Sequence, residues 1–298
     1  MRDLELEAPA KLNLHLGIYS ELDGRGYHRA DSLMVAVGLC DRVKVRETRC
    51  ENAPKGNGAL QVDCIPSVGV PEERNTAYRA AQELASRVGR VPRVQVTIQK
   101  RIPDQAGMGG SSSDAAAVLR ALCELWDIDL GDPVVAEAAR SVGADVPFFL
   151  DPVPTLLVGA GDVVDRKFKP FAEPIPVALV RPEGPGVSTP AAYKAFDEQP
   201  SAPASPDALC EILQSGCVSA DGIAKRLFNN LDPVACRLLP KVSEVRSWLV
   251  AQEGALGVQV TGSGSCVFAI CATSKDANRI VDAARAELDA WASSTHIA

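Results

Sequence analysis

A chain of 298 residues, 46% hydrophobic and 23% charged, has the composition of a soluble globular protein of one large or two ordinary domains. Its 31 basic and 38 acidic residues leave a net charge of −7, which disfavours a general nucleic-acid or membrane surface and still permits a local basic cleft. No apolar run reaches membrane-spanning length, and the acidic start Met-Arg-Asp-Leu-Glu-Leu-Glu is unlike a signal peptide. Nine cysteines with no Cys-x2-Cys pair predict reduced thiols and a cytoplasmic protein, and the histidines (His15, His28, His296) lack the spacing of a zinc site.

In chain order, Leu4 to Glu7 and Leu12 to Tyr19 read as strands separated by Ala8-Pro9-Ala10-Lys11. Strand parity puts Lys11, Asn13 and His15 on a polar face opposite Leu12, Leu14 and Leu16. Taken alone, Lys11 is a solvated surface charge. Asp23 to His28 is a turn whose Tyr27 and His28, taken alone, read as loop packing. Val43 to Glu47 and Ala59 to Cys64 predict strands joined by a turn near 54–58, and Asn75 to Val88 an amphipathic helix. Val94, Val96 and Ile98 alternate with polar residues, which predicts a half-exposed strand.

Pro103 to Trp126 is the most informative stretch. A glycine and serine loop runs into a helix whose Ala115, Val118, Leu119, Leu122, Leu125 and Trp126 recur at helical spacing. A strand, a flexible loop and a helix start make an anion site: backbone N–H groups point outward, the helix dipole adds positive charge, and glycine lets a phosphate approach. No lysine follows Gly109 or Gly110, and Ser112 stands where a dinucleotide fingerprint needs its third glycine, so both common phosphate-loop patterns are rejected.

Pro133 to Ser141 predicts a short helix, followed by the apolar run Gly143 to Leu150 around Asp145. Asp145 either caps a turn or is a partly desolvated catalytic carboxylate. Pro152 and Pro154 suggest a linker. Beyond them come strand Thr155 to Val158, turn 159–162, strand Ile175 to Arg181, a loop over 182–190, a short helix bearing Tyr193, and a mobile surface segment over 199–207. Helices at 208–214, 233–239 and 242–252, strand 257–261, turn 262–265, strand 266–271 and helix 275–291 complete an α+β pattern without internal repeats.

Pro9 to Leu14, Pro103 to Ala116 and Val260 to Phe268, in that order, resemble the three motifs of the GHMP kinase superfamily, which includes galactokinase, homoserine kinase, mevalonate kinase and phosphomevalonate kinase. Asp23 to His28, Gly-Ala-Asp-Val-Pro at 143–147, Pro-Gly-Val-Ser-Thr at 185–189 and Thr-Gly-Ser-Gly-Ser-Cys-Val-Phe at 261–268 resemble the branch that acts on a diphosphocytidyl methylerythritol. Two features depart from that pattern: Arg25-Gly26 widens the Asp-Gly-Tyr-His spacing, and the phosphate loop carries Ser111 and Asp114.

The resemblance implies a two-domain α+β fold, with a ribosomal-protein-S5-domain-2-like nucleotide domain over 1–155, a ferredoxin-like α/β-plait substrate domain over 156–298, and the active site in the cleft between them. It implies ATP-dependent phosphorylation of the substrate 2-hydroxyl in the non-mevalonate isoprenoid pathway, with Mg²⁺ as cofactor and Ser111 or Ser112 reaching the metal. Asp145 would take or orient the hydroxyl proton, and Lys11 beside it would balance developing charge. Pro103, Ala106, Gly107, Met108, Gly109, Gly110, Ser111, Ser112, Ser113 and Asp114 would hold ATP, with Asn75 and Lys100 near the adenosine. Tyr27 and Tyr193 would sandwich the cytosine, and His28 would bond its edge. Asn13 and Thr189 would contact the substrate's polar groups, and Gly262, Ser263 and Gly264 would close over the phosphates. A homoserine or mevalonate-type kinase is the alternative within the fold, and a catalytically silent RNA-binding protein the alternative outside it. The expected state is a monomer or homodimer without nucleic-acid or membrane partners.

Overall fold

A computed structural model describes residues 2–48 and 60–297 of the chain. The turn expected at 54–58, Ala59 and Cys50 lie outside the described residues. The backbone divides into two compact units that interleave in sequence: one holds residues 1–10, 39–104 and 109–152, the other 11–38, 105–108 and 153–298. We call them the first and second units. Strands β1 (Asp3–Leu22) and β2 (His28–Glu47) contribute residues to both.

β1 is one strand where two were expected, because Pro9 does not break it. The backbone N–H of Lys11 donates to the carbonyl of Met108 at 3.0 Å. From Ala10 to Ile18 every residue is buried, so the polar face of Lys11, Asn13 and His15 exists but is an inner face. β2 begins at His28, well before the expected Val43; its Leu33-Met34-Val35 run is buried without alternation and so lacked a strand period.

In the first unit, β3 (Leu60–Ile65) lies parallel to β4 (Val94–Gln99), which runs antiparallel to the end of β2 in the register Val43↔Ile98. Helices α1 (Thr76–Arg87), α2 (Gly110–Trp126), α3 (Pro133–Val142) and α4 (Val146–Leu150) complete it, with α1 packed on α2 and α3. The helical spacing predicted for α2 matches its buried residues Ala115, Val118, Leu119, Leu122, Leu125 and Trp126.

In the second unit, β5 (Thr155–Val158) pairs with β2 in the register Leu33↔Leu156 and with the exposed edge strand β6 (Val163–Lys167), which the sequence did not signal. β7 (Ile175–Pro182) leads to α5 (Thr189–Glu198), α6 (Asp207–Ser215), α7 (Ala220–Ala224), the two-residue β8 (Phe228–Asn229), α8 (Asp232–Leu238) and α9 (Pro240–Val250). β9 (Ala255–Val260), β10 (Val267–Cys271), α10 (Ser274–Glu287) and β11 (Ala290–Ile297) follow. β7 is flanked antiparallel by β10 and β11, in the registers Ala178↔Ala269 and Leu179↔Ser293. The helix expected to run to Trp291 therefore stops at Glu287. Ser293 to Ile297 contribute more as partners of β7 than as another turn of helix. Phe196, Val234, Val245, Leu249, Ile280 and Val281 fill the core between these strands and helices.

Among the described residues no helix is long and apolar enough to cross a membrane, and the eight described cysteines are free thiols.

Candidate active site

Lys11, which taken alone reads as a solvated surface charge, is only 3% exposed. A buried ammonium needs oxygen partners, and its Nζ donates to Asn13 Oδ1. The same Oδ1 accepts from the N–H of Gly262 at 3.0 Å and from Thr261 Oγ1 at 3.3 Å, while Asn13 Nδ2 donates to Ser32 Oγ at 2.8 Å. Asn13 thus ties the lysine to the 261–264 turn. With its amide bonded within the protein and 1% exposure, Asn13 holds Lys11 in place in addition to any contact with substrate.

The same turn grips the first half of the glycine loop. Ser265 N–H and Oγ reach the carbonyl of Gln105, Cys266 N–H donates to Ala106 O at 3.1 Å, and Thr261 Oγ1 reaches Gly107 O at 3.4 Å. Gly107 has φ +75° and packs so closely that a Cβ there would stand 2.2 Å from Thr261 O. Gly262, at φ +58°, would set a Cβ 2.9 Å from Gly107 O and 3.3 Å from Lys11 Nζ. Two left-handed glycines therefore allow this backbone-on-backbone contact beside the lysine. The turn predicted as Gly262 to Ser265 is a clamp as well as a hairpin connection.

His28 lies in the second unit. Its Nδ1 donates to Tyr19 O at 2.7 Å, Nε2 lies 3.0 Å from Asp197 Oδ1, and its ring sits 5.4 Å from that of Tyr193 and 5.9 Å, edge-on, from Phe196. The aromatic cluster expected around His28 is present for Tyr193. Tyr27 is 60% exposed, with Arg25 over its ring at 5.4 Å. The departure at Arg25-Gly26 is structured: Arg25 bonds Asp23 and Asp162, each at 2.8 Å, and Tyr27 N–H caps Asp23 Oδ1. Thr189 Oγ1 lies 3.1 Å from Ser263 Oγ, so these two expected substrate contacts come together. His15, on the Lys11 face, stacks on Phe228 with Nε2 unpartnered, and burial pushes its imidazole down to about 4.

In the first unit, α2 starts at Gly110 after Gly109, which is left-handed at φ 70° and caps the helix with no side chain. Its first-turn amides are thus left for another acceptor, which is the anion geometry read from the sequence. Ser113 Oγ and Asp114 Oδ1 are buried there without a hydrogen-bond partner. Asp114 Oδ2 accepts from Lys100 Nζ at 2.6 Å, and the same ammonium bonds Asp41. Burial pushes the Asp114 carboxyl up to about 7 against the pull of Lys100. The neighbouring carboxylates, outweighing the cost of burial, raise the Lys100 ammonium. Lys100 is therefore engaged by two carboxylates, and Asn75 is the N-cap of α1, accepting from Ala77 N–H at 2.9 Å. Both hold structure in addition to any contact with adenosine. Pro103 follows Ile102, whose N–H donates to Asp41 Oδ1 at 2.8 Å.

Asp145 is half-buried at the N-cap position of α4, in a turn, and its side chain makes no capping hydrogen bond, so the carboxylate is not used as a cap. Ser112 Oγ would lie 3.8 Å from a Cβ at Gly143, on the segment that carries Asp145. Lys11 and Asp145 fall in different units. The expected substrate residues Asn13, Tyr27, His28, Thr189, Tyr193, Gly262, Ser263 and Gly264 all fall in the second unit. The expected ATP residues fall in the first, except Ala106, Gly107 and Met108. Sequence reasoning missed Ser32, Asp41, Asp197 and Thr261 as organising residues, because their partners lie far away along the chain.

The GHMP kinases N terminal domain matches residues 75–151, and the GHMP kinases C terminal family matches residues 210–290. The chain is 37% identical to the 4-diphosphocytidyl-2-C-methyl-D-erythritol kinase of Desulfitobacterium hafniense (strain Y51), over 93% of its own length and 90% of the relative's. A crystal structure of 4-(cytidine 5'-diphospho)-2C-methyl-D-erythritol kinase superposes with TM-score 0.76 at 34% identity, covering 99% of this chain and 100% of that one. Homoserine kinase from Cytophaga hutchinsonii ATCC 33406 shares the fold at TM-score 0.74 and 18% identity, over 100% of this chain and 95% of that one. The motifs, the fold and these matches agree, and the chain belongs to the 4-diphosphocytidyl-2-C-methyl-D-erythritol kinases of the GHMP kinase family.

Proposed function

We propose that the chain transfers the γ-phosphoryl group of ATP to the 2-hydroxyl of 4-diphosphocytidyl-2-C-methyl-D-erythritol, a cytoplasmic step of the non-mevalonate isoprenoid pathway. The observation that carries this beyond the family name is the start of α2, a left-handed glycine with no side-chain cap, which suits phosphate. Phosphoryl transfer asks for positioning and charge neutralisation more than covalent help. Asp145, half-buried and capping nothing, accepts or orients the hydroxyl proton. Lys11, held by Asn13 and the 261–264 turn, balances charge as the hydroxyl becomes an alkoxide.

Hard oxygen atoms at the α2 start, the Ser112 hydroxyl and the unpartnered Ser113 Oγ and Asp114 Oδ1, fit Mg²⁺. Those oxygens would hold Mg²⁺ bound with ATP, which would supply charge neutralisation to the phosphates. In the proposed division of labour, residues 1–155 serve ATP and 156–298 serve substrate, with one refinement. Residues 11–38 carry Asn13, Tyr27 and His28 in the second unit and so serve the substrate side. The working form is a monomer or homodimer that needs neither nucleic acid nor membrane.

The test is ATP consumption with purified protein and Mg²⁺. Turnover is expected with the diphosphocytidyl substrate, and equal turnover of homoserine or mevalonate would overturn the assignment. Asp145→Asn and Lys11→Ala should each lower kcat by roughly 10²- to 10⁴-fold, with a much smaller rise in the KM of ATP. An Asp145→Asn enzyme with normal kcat removes Asp145 from the chemistry.

A further inference from the structure

Two consecutive asparagines beside the 261–264 turn bond different elements. Asn229 Nδ2 donates to the carbonyls of Val260 and Gly262, each at 2.8 Å, and its Oδ1 accepts from the Leu231 N–H at 2.9 Å. Both amide hydrogens and the oxygen are used, and only this orientation of the amide satisfies all three partners. Asn230 is turned to β1 instead. Its Oδ1 accepts from the Ile18 N–H at 2.9 Å, and its Nδ2 donates to the carbonyls of Ile18 and Ser201 at 2.8 and 3.1 Å. The two are matched in burial, at 6% and 5% exposure, and each amide makes three hydrogen bonds. β8 lies parallel to β1 in the register Leu16↔Asn229, so this pair joins the strand that carries Lys11 to the turn that braces it.

Gly262 is pinned between two asparagines. Its N–H donates at 3.0 Å to Asn13 Oδ1, the oxygen that also accepts from Lys11 Nζ, and its carbonyl accepts from Asn229. A left-handed glycine at φ +58° has no side chain to fix it, so these two bonds set the peptide planes before and after it. A Cβ there would stand 3.3 Å from Lys11 Nζ, so any shift of this glycine reaches the ammonium directly. We propose that Asn229 is a positioning residue for phosphoryl transfer. It fixes Gly262, Gly262 fixes the Asn13 amide, and the Asn13 oxygen holds the Lys11 ammonium where charge develops. This rests on the charge-balancing role read for Lys11 above. Removing the Asn229 amide leaves the Val260 and Gly262 carbonyls without this donor and lets the turn rotate. A misplacement of about 1 Å in a group that acts on the transition state can cost roughly 100-fold in rate.

The experiment is a double-mutant cycle with a matched control. Asn229→Ala should lower kcat roughly 10- to 100-fold, with the KM of ATP and of the diphosphocytidyl substrate within about threefold of the parent. Asn230→Ala removes as many hydrogen bonds from an equally buried position. It should lower Tm by a similar amount and leave kcat within about threefold of the parent. In a Lys11→Ala background, Asn229→Ala should lower Tm as before but kcat hardly further, because the group it positions is gone. An equal loss of kcat in both backgrounds overturns the proposal, as does an Asn230→Ala enzyme slowed as much as Asn229→Ala. If Asn229→Ala does not fold, Asn229→Ser, which keeps a single donor, carries the same comparisons. A Lys11→Ala enzyme with parental kcat overturns the reading of Lys11 itself, and the role of Asn229 falls with it.

Discussion

The two halves of the glycine loop use their backbones in opposite ways. From Gln105 to Met108 every carbonyl accepts a hydrogen bond, from Ser265, Cys266, Thr261 and Lys11 respectively. From Gly110 onward the N–H groups open a helix that no side chain caps. The first half spends its acceptors on the protein and is held. The second keeps its donors, which the proposed function gives to the phosphates of ATP. Gly107 needs glycine because another backbone lies against it, whereas at Gly110 only the proposed approach of ATP calls for one.

Gly107→Ala should separate the halves most sharply. The alanine must adopt φ +75° with its methyl 2.2 Å from Thr261 O and 3.1 Å from Gly264 O, and both obstacles are backbone. A loss of about 3 kcal/mol or more is expected, seen as a lower denaturant midpoint, with activity lost alongside. A normal midpoint would mean that the first half is not held by the turn.

Gly110→Ala should do the reverse. Its nearest neighbours would be side-chain atoms, Ile102 Cγ2 at 3.0 Å and Lys100 Nζ at 3.5 Å, which can give way. Stability should change by less than about 1 kcal/mol, since alanine also favours the helix. The KM of ATP should rise roughly tenfold, about the worth of one charge-assisted hydrogen bond. If stability falls and the KM of ATP does not move, the second half is structural too.

The loop and α2 were legible because their information is local: glycines and serines in seven residues, then apolar residues at helical spacing. What holds them was not. Asn13 meets Thr261 across 248 positions, and Asp41 meets the Ile102 amide across 61. Asp41 lies just ahead of the strand expected from Val43, and nothing local marks it until the Ile102 amide is beside it. Lys11 shows the same limit from the other side. Its strand face was readable, but burial of that face depends on elements found much later in the chain. β11 escaped because Trp291 continues the helical period of α10, and only pairing with β7 decides against it. Asp197 lies one turn from Tyr193, yet it gains meaning only when His28 arrives opposite.

The smallest effect tests the charge behind the second half of the loop. Asp41, Lys100 and Asp114 bury two carboxylates and one ammonium, a net negative charge, and Asp114 Oδ1 has no partner. Burial raises the folded carboxyl to about 7, from an ordinary 3.8. Well below pH 3.8 the group is neutral both folded and unfolded, so its contribution to stability is fully present there. As pH rises toward 7 the unfolded chain ionises freely while the folded one resists, and that contribution is lost. Asp114→Asn removes the titration and keeps the shape. Relative to the parent, its Tm should therefore climb between pH 4 and 7 and level off above, as followed by thermal melts in matched buffers. A Tm difference with the opposite slope would show that the 2.6 Å pairing with Lys100 outweighs burial, and that the loop is braced by an ion pair rather than by a shared proton.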